Sequence, residues 1–334
     1  MNFFSKATEL EISLSRTLPG TVGFICQIDD HIYFSQRSSP QGSPFVALHS
    51  KTYAEIHKIS ITDFFSNTGE STPILRLQGA ITSGILSHDD RCIYFIWNKR
   101  ENGKEKYSFC SFDPQTHTVS ELGSYHTYGE NLQDIGGKYL FDQGDVYASV
   151  TLDKGRTWHR LLGDLAGERS AFCRDGDAYY RFNNDIFHIP QSEILNQNFQ
   201  ATKLYTLAAD IRAGSLFVAD DKQVYVTVYN TNPPILFNIE KGSHFPLASS
   251  ASNDRYSRVA TVFNHGDKFY GISWAANSPM STSAKIIMTD GHSIYESRTF
   301  PQSPDYLGTL GDYLFFNVDR VFARKSELLG IKYK

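Results

Sequence analysis

The chain lacks any long apolar run. Nowhere in its 334 residues do the roughly 18 apolar residues of a membrane-spanning helix follow one another. Residues 1–6 lack the apolar core of a secretion signal, so the expected setting is the cytoplasm or a larger assembly. Cysteine is scarce, with only Cys26, Cys92, Cys110 and Cys173, and no two of them are spaced as a metal-ligand pair. They read as buried free thiols, with a Cys92–Cys110 disulfide between neighbouring strands as the alternative. The 11 histidines show no His-x-His or His-x-x-x-His ligand spacing. There is no glycine-rich phosphate loop and no Gly-x-Ser-x-Gly elbow. No metal, no cofactor and no catalytic residue is therefore nominated. Charge of one sign is also missing. The formal net charge is -4 with no like-charged run, which argues against a nucleic-acid partner. The densest basic segment, Lys99, Arg100, Lys104 and Lys106, is interleaved with Glu101 and Glu105 and reads as a solvated loop. Helix signals are nearly absent; Ser192–Leu195 suits one short turn.

What is present is aromatic and periodic. Aromatic residues make up 14% of the chain, a composition that suits strands. An Asp/Gly-rich turn followed by an aromatic strand recurs as Asp29–Phe34, Asp89–Phe95, Gly136–Phe141, Asp175–Tyr180, Asp220–Val226, His265–Tyr270 and Gly311–Phe316. The first apolar residues of these strands, at 32, 93, 139, 178, 224, 269 and 313, are 61, 46, 39, 46, 45 and 44 residues apart. A period of 40 to 50 residues with four strands per unit is the blade spacing of a β-propeller. Seven units fill the chain. The expected fold is a single all-β domain over 1–334, a seven-bladed propeller of four-stranded antiparallel blades.

The expected blades run 16–78, 79–122, 130–163, 167–207, 212–248, 256–300 and 304–334 plus 8–15. Asp and Gly supply the positive backbone dihedrals of the tight turns. An apolar first strand precedes each turn, as in Val22–Cys26, Ser170–Cys173 and Val259–Phe263. A third strand such as Tyr107–Phe112 and a polar fourth such as Thr118–Leu122 follow. The excess length of blade one falls around Gln36–Ala54 and reads as an inserted loop. Glu9–Ser15 alternates polar with apolar and has no blade of its own, so it is expected to complete the last blade and remove an open edge. Leu329–Tyr333 alternates too, leaving open which chain end is outermost.

Between the third and fourth strands of blade three the chain reads Thr151-Leu152-Asp153-Lys154-Gly155-Arg156-Thr157-Trp158. This resembles the Asp-box, the (Ser/Thr)-x-Asp-x-Gly-x-Thr-Trp turn of bacterial neuraminidase repeats, in one of the seven units. The resemblance implies a sialidase-like propeller. It also implies a structural role for Thr151, Asp153, Gly155, Thr157 and Trp158: the Asp bonds backbone N–H groups, Gly155 takes a positive dihedral, and Trp158 packs into the blade. Sialidases also carry an early (Phe/Tyr)-Arg-Ile-Pro segment. The nearest string here, Phe187-His188-Ile189-Pro190, lies mid-chain with His in place of Arg, which leaves sialidase activity without that arginine.

Arg169, Arg212 and Arg258 stand near the starts of expected first strands, with Arg255 close by. There they would face a channel mouth and suit a carboxylate, sulfate or phosphate, or else pair with the adjacent Glu168, Asp210 and Asp254. Trp97 and Trp274 lie beside Asn and Ser, a setting that suits a sugar or a protein partner, or the covering of blade edges. The reading that follows is a non-catalytic binding or scaffold module presenting one face to a protein partner or glycan. The competing reading is a glycoside-acting enzyme with its site at the channel mouth.

Overall fold

A computed structural model describes residues 8–38, 52–87, 89–102, 104–125, 132–143, 148–161, 169–231, 233–247, 258–278, 281–320 and 325–334. The fold is an all-β, seven-bladed propeller with four-stranded antiparallel blades. Its contacts divide the chain into two units, Ile12–Leu161 with Asp305–Lys334, and Met1–Glu11 with Leu162–Pro304.

The first unit holds four blades. Blade one comprises Thr21–Ile28, His31–Ser38, Tyr53–Ser60 and Thr72–Gln78. Blade two comprises Ala80–Leu86, Ile93–Glu101, Lys104–Asp113 and Thr118–Tyr125. Blade three comprises Leu132–Asp134, Leu140–Gln143, Ala148–Thr151 and His159–Arg160. Blade seven has Asp305–Leu310, Tyr313–Arg320 and Lys325–Lys332, completed by Leu14–Leu18. The second unit holds blade four (Arg169–Arg174, Asp177–Phe182, Asp185–Ile189, Thr202–Thr206), blade five (Ala213–Val218, Val224–Val228, Ile235–Asn238, His244–Pro246) and blade six (Arg258–His265, Lys268–Ser278, Ser281–Thr289, Ile294–Glu296).

In the turns between first and second strands Asp29, Asp175, Gly266 and Gly311 take the positive φ expected of Asp and Gly, but in blades two and five it falls on Arg91 and Lys222, each just after an aspartate pair, at 58° and 63°. The first strands of blades one, two, five, six and seven also carry a bulge near their starts, for example between Ile81 and Ser83. Bulges bend a strand and strengthen its twist.

The core lies between blades. Phe24, Cys26, Ile56, Ile81, Phe95 and Phe112 join blades one and two, and Phe34, Leu14, Leu18, Phe64, Phe315 and Leu328 join blades seven and one. Phe172, Phe217, Tyr225 and Phe269 link blades four, five and six. The aromatic residue of the recurring second strand is thus the filler of the layer between facing sheets. All four cysteines are free thiols, so the disulfide alternative does not arise.

Two expectations need correction. Closure does come from the N-terminal end, but through Leu14–Leu18 rather than Glu9–Ser15, and Lys325–Lys332 is the third strand rather than the outermost. Thr8–Glu9 pairs in parallel with Tyr295–Glu296 of blade six instead. The alternation continues past Ser15 because Arg16 occupies a buried position between Leu14 and Leu18; a charged residue at an inward site hid the strand's true extent. The second correction is helical. Besides Gln191–Leu195, a one-turn helix spans Ile61–Phe65, capped by Ser60, whose Oγ accepts from the Asp63 N–H at 3.1 Å. No described helix is long and apolar enough to cross a membrane.

Candidate functional site

The middle strands of blade two outrun their neighbours. Among the described residues the first strand pairs as far as Asn98 and the fourth as far as Tyr107. Beyond those positions the two middle strands continue as a ribbon, with Lys99↔Lys106, Arg100↔Glu105 and Glu101↔Lys104 in register. All six residues are charged. The basic segment expected as a solvated loop is therefore part of a paired ribbon in which Lys99 and Lys106 find carboxylate partners. Lys99 Nζ lies 3.0 Å from both Glu101 Oε1 and Glu121 Oε2, and Lys106 Nζ lies 3.5 and 3.7 Å from the same two carboxylates. Like charges face each other at Lys99↔Lys106, and the two carboxylates that both lysines reach offset that repulsion.

The charges are held at the ribbon's base. Glu121 accepts from Ser108 Oγ at 2.8 Å, and a bulge between Glu121 and Gly123 lies beside it. That bond, with Lys99, holds the Glu121 carboxyl below its ordinary range although burial opposes it. Burial also opposes the charge on Lys99, but Glu101 and Glu121 outweigh it and raise its pKa. Trp97, half-buried, donates Nε1 to Gln78 O at 2.9 Å and carries Lys99 Nζ 4.5 Å from its ring centroid. Its ring is thus held at one edge by a hydrogen bond and covered on a face by a cation.

At the opposite end of blade two, its turn meets blade three. A cavity of about 50 Å³ is lined there by residues that include Asp89, Tyr94, Asp134, Lys138, Thr151 and Lys154. Lys154 Nζ bonds Asp90 Oδ2 at 2.8 Å, which also accepts from Tyr94 at 2.9 Å. Burial would raise Asp90, but these bonds and the Cys92 N–H lower it to about 2. Within the Thr151–Trp158 turn, Thr151 Oγ1 donates to Asp153 Oδ1 at 2.8 Å and accepts from the Gly155 N–H at 2.9 Å, while Asp153 Oδ1 accepts from the Thr157 N–H at 2.8 Å. Gly155 has φ 88°, and a Cβ there would fall 1.9 Å from the Phe109 ring. Trp158 packs edge-on to Phe109 and Tyr125, at 5.1 and 4.8 Å. The turn of blade three is therefore a wedge against blade two.

The other nominated arginines of the described residues stand at or just before the starts of first strands, as expected. Arg212 is exposed, just ahead of the first strand of blade five, where its N–H donates to Asn230 Oδ1 at 3.2 Å. Arg258 and Trp274 are register partners in blade six, and Arg169 opens blade four; their side chains lie outside the described residues, as does Arg255 altogether. What sequence reasoning missed are ion pairs that reach between blades from the turns: Arg91 to Asp29, Lys154 to Asp90, Arg174 to Asp220 and Lys222 to Asp177. The turn aspartates signalled backbone shape; nothing in the one-dimensional pattern named their partners.

No family model matches the chain, and no curated protein matches it by sequence. Solved structures do resemble it. Virginiamycin B lyase from Staphylococcus aureus shares 13% identity at a TM-score of 0.54, over 96% of this chain and 99% of the lyase. The N-terminal domain of Nup159 shares 9% at 0.56, over 99% and 97%. The β-propeller domain of the Trilobed protease from Pyrococcus furiosus shares 9% at 0.53, over 89% and 90%. These likenesses are ones of fold: the chain has the architecture of propellers that include both enzymes and parts of protein assemblies.

Proposed function

We propose that this chain is a non-catalytic propeller module that binds a protein partner through the face bearing the blade-two ribbon. The observation that carries the reading is the extended end of the blade-two hairpin, where four basic and two acidic residues are paired in register and braced by Glu121 and Trp97. Fixed charges of both signs are well suited to selecting one partner and rejecting others. Nup159 supports the reading by analogy, since it has been seen with Dbp5 bound, as does the propeller within the mitotic checkpoint complex. The Asp-box-like turn is consistent with a sialidase-like ancestry, but its side chains are spent on packing blade three against blade two.

The test is a quantitative affinity purification of the wild-type chain beside an Arg100→Glu/Lys104→Glu variant. One stoichiometric protein retained by the wild type and lost at least tenfold by the variant supports the reading. Turnover of any member of a fluorogenic glycoside panel, or glycan-array binding that ignores the ribbon, contradicts it.

A further inference from the structure

The strand that completes blade seven carries a charge where a strand of its pattern carries an apolar side chain. Leu14, Arg16 and Leu18 all face inward, and Arg16 is only 9% exposed. No carboxylate is bonded to its guanidinium among the contacts seen. Nη2 donates to Gly69 O at 2.8 Å, and Nη1 reaches Asp63 O and Thr68 O at 3.3 and 3.4 Å. The guanidinium carbon lies 6.0 Å from the Phe64 ring centroid. All of these groups belong to one short segment of blade one, the capped helix Ile61–Phe65 and the turn after it.

The geometry points to a conditional clasp: Arg16 ties closure of blade seven to the folding of the Ser60–Gly69 segment of blade one. A buried cation is costly unless its donors are satisfied, and a planar fork needs acceptors held in fixed positions. Here those acceptors are carbonyls that converge only when the segment is folded. Its order depends on Ser60, which caps the helix and donates to Asp63 Oδ2 at 2.7 Å, and on the Asp63 carbonyl, which accepts from the Thr68 N–H at 2.9 Å. The same turn reaches the strand again, with Asn67 Nδ2 3.4 Å from Ser15 O. When the turn loosens, Arg16 loses its acceptors and water becomes the better partner for it. The strand then opens, since it is joined to Lys325–Lys332 by pairing and by Ser15–Glu327 rather than by a short connection. Coupling of this kind is reciprocal.

Hydrogen exchange of the full chain, read by mass spectrometry on three variants, tests the clasp. Ser60→Ala, which leaves the strand's own residues untouched, is expected to raise exchange at Leu14–Leu18 at least fivefold. Arg16→Ala is expected to raise exchange in the Ile61–Gly69 segment by a similar factor, and Arg16→Lys, without the fork, by an intermediate one. Amides of blades two and three should be unmoved in all three. A Ser60→Ala chain whose closing strand exchanges as in the wild type overturns the proposal. So does an increase spread evenly over all blades, which would mark ordinary loss of stability.

Discussion

Blades two and three adjoin in one unit yet are held together in different ways. Blade two has strands of 7, 9, 10 and 8 residues and is secured chiefly by backbone ladders. Blade three, whose residues 144–147 lie outside the described ones, is tied to its neighbour by side chains: Thr151, Asp153 and Thr157 close its turn by hydrogen bonds, Trp158 packs on two rings of blade two, Lys154 bonds Asp90, and Tyr125 bonds Asp142 between the blades. The turns of blades two and six also close on an aspartate, Asp113 and Asp290, that accepts backbone N–H groups, but the Thr151–Trp158 turn adds a Trp packed on the neighbouring blade.

Substitutions in the two blades should separate these modes. Trp158→Ala removes a ring packed on Phe109 and Tyr125 and should destabilise the chain by about 3 kcal/mol, read by chemical denaturation, with exchange rising first in His159–Arg160. Gly155→Ala places a methyl group into the Phe109 ring at a positive φ and should cost about 2 kcal/mol. Should it prove neutral, the wedge is not tight. Asp153→Ala breaks two turn hydrogen bonds and should cost about 1 kcal/mol.

Acid should act on the same junction. Asp90 and Asp153 both titrate below their ordinary values in the folded chain: burial opposes this, and hydrogen bonds outweigh it. Depressed carboxylates contribute stability that is present above the unfolded pKa of about 4 and is lost as pH falls through the folded values. Blade-three amides should therefore exchange faster as pH drops from about 5 toward 2, after correction for intrinsic rates, and Lys154→Ala, which removes a bond that holds Asp90 down, should make that loss smaller and end it at higher pH. An Asp90 effect untouched by Lys154→Ala would contradict the assignment. The smallest effect belongs to blade two. Arg100→Glu with Lys104→Glu should change stability by no more than about 0.5 kcal/mol, because the ribbon is exposed.

The fold was legible because its signals are local and repeated. Each second strand announces itself by a turn residue able to adopt positive φ and an aromatic that fills the next layer, as at Asp29 and Phe34 or Asp175 and Tyr179. The Thr151–Trp158 turn was legible for the same reason, since its partners lie within eight residues. Arg16 was not, because its acceptors lie about fifty residues away at Asp63, Thr68 and Gly69. The ribbon was half legible. Its interleaved charges stood out, but its order depends on Glu121, which comes from another strand and is re-aimed by a register shift that no local pattern encodes.

The measurement that bears most directly on the ribbon as a partner-binding element is site-specific photo-crosslinking in cells. A benzoylphenylalanine group is placed at Lys104 on the ribbon or at Lys203 on the outer strand of blade four, both exposed. A single protein adduct from position 104, absent from position 203, is the predicted result. A co-purifying protein that crosslinks equally from both positions, or only from 203, would contradict it.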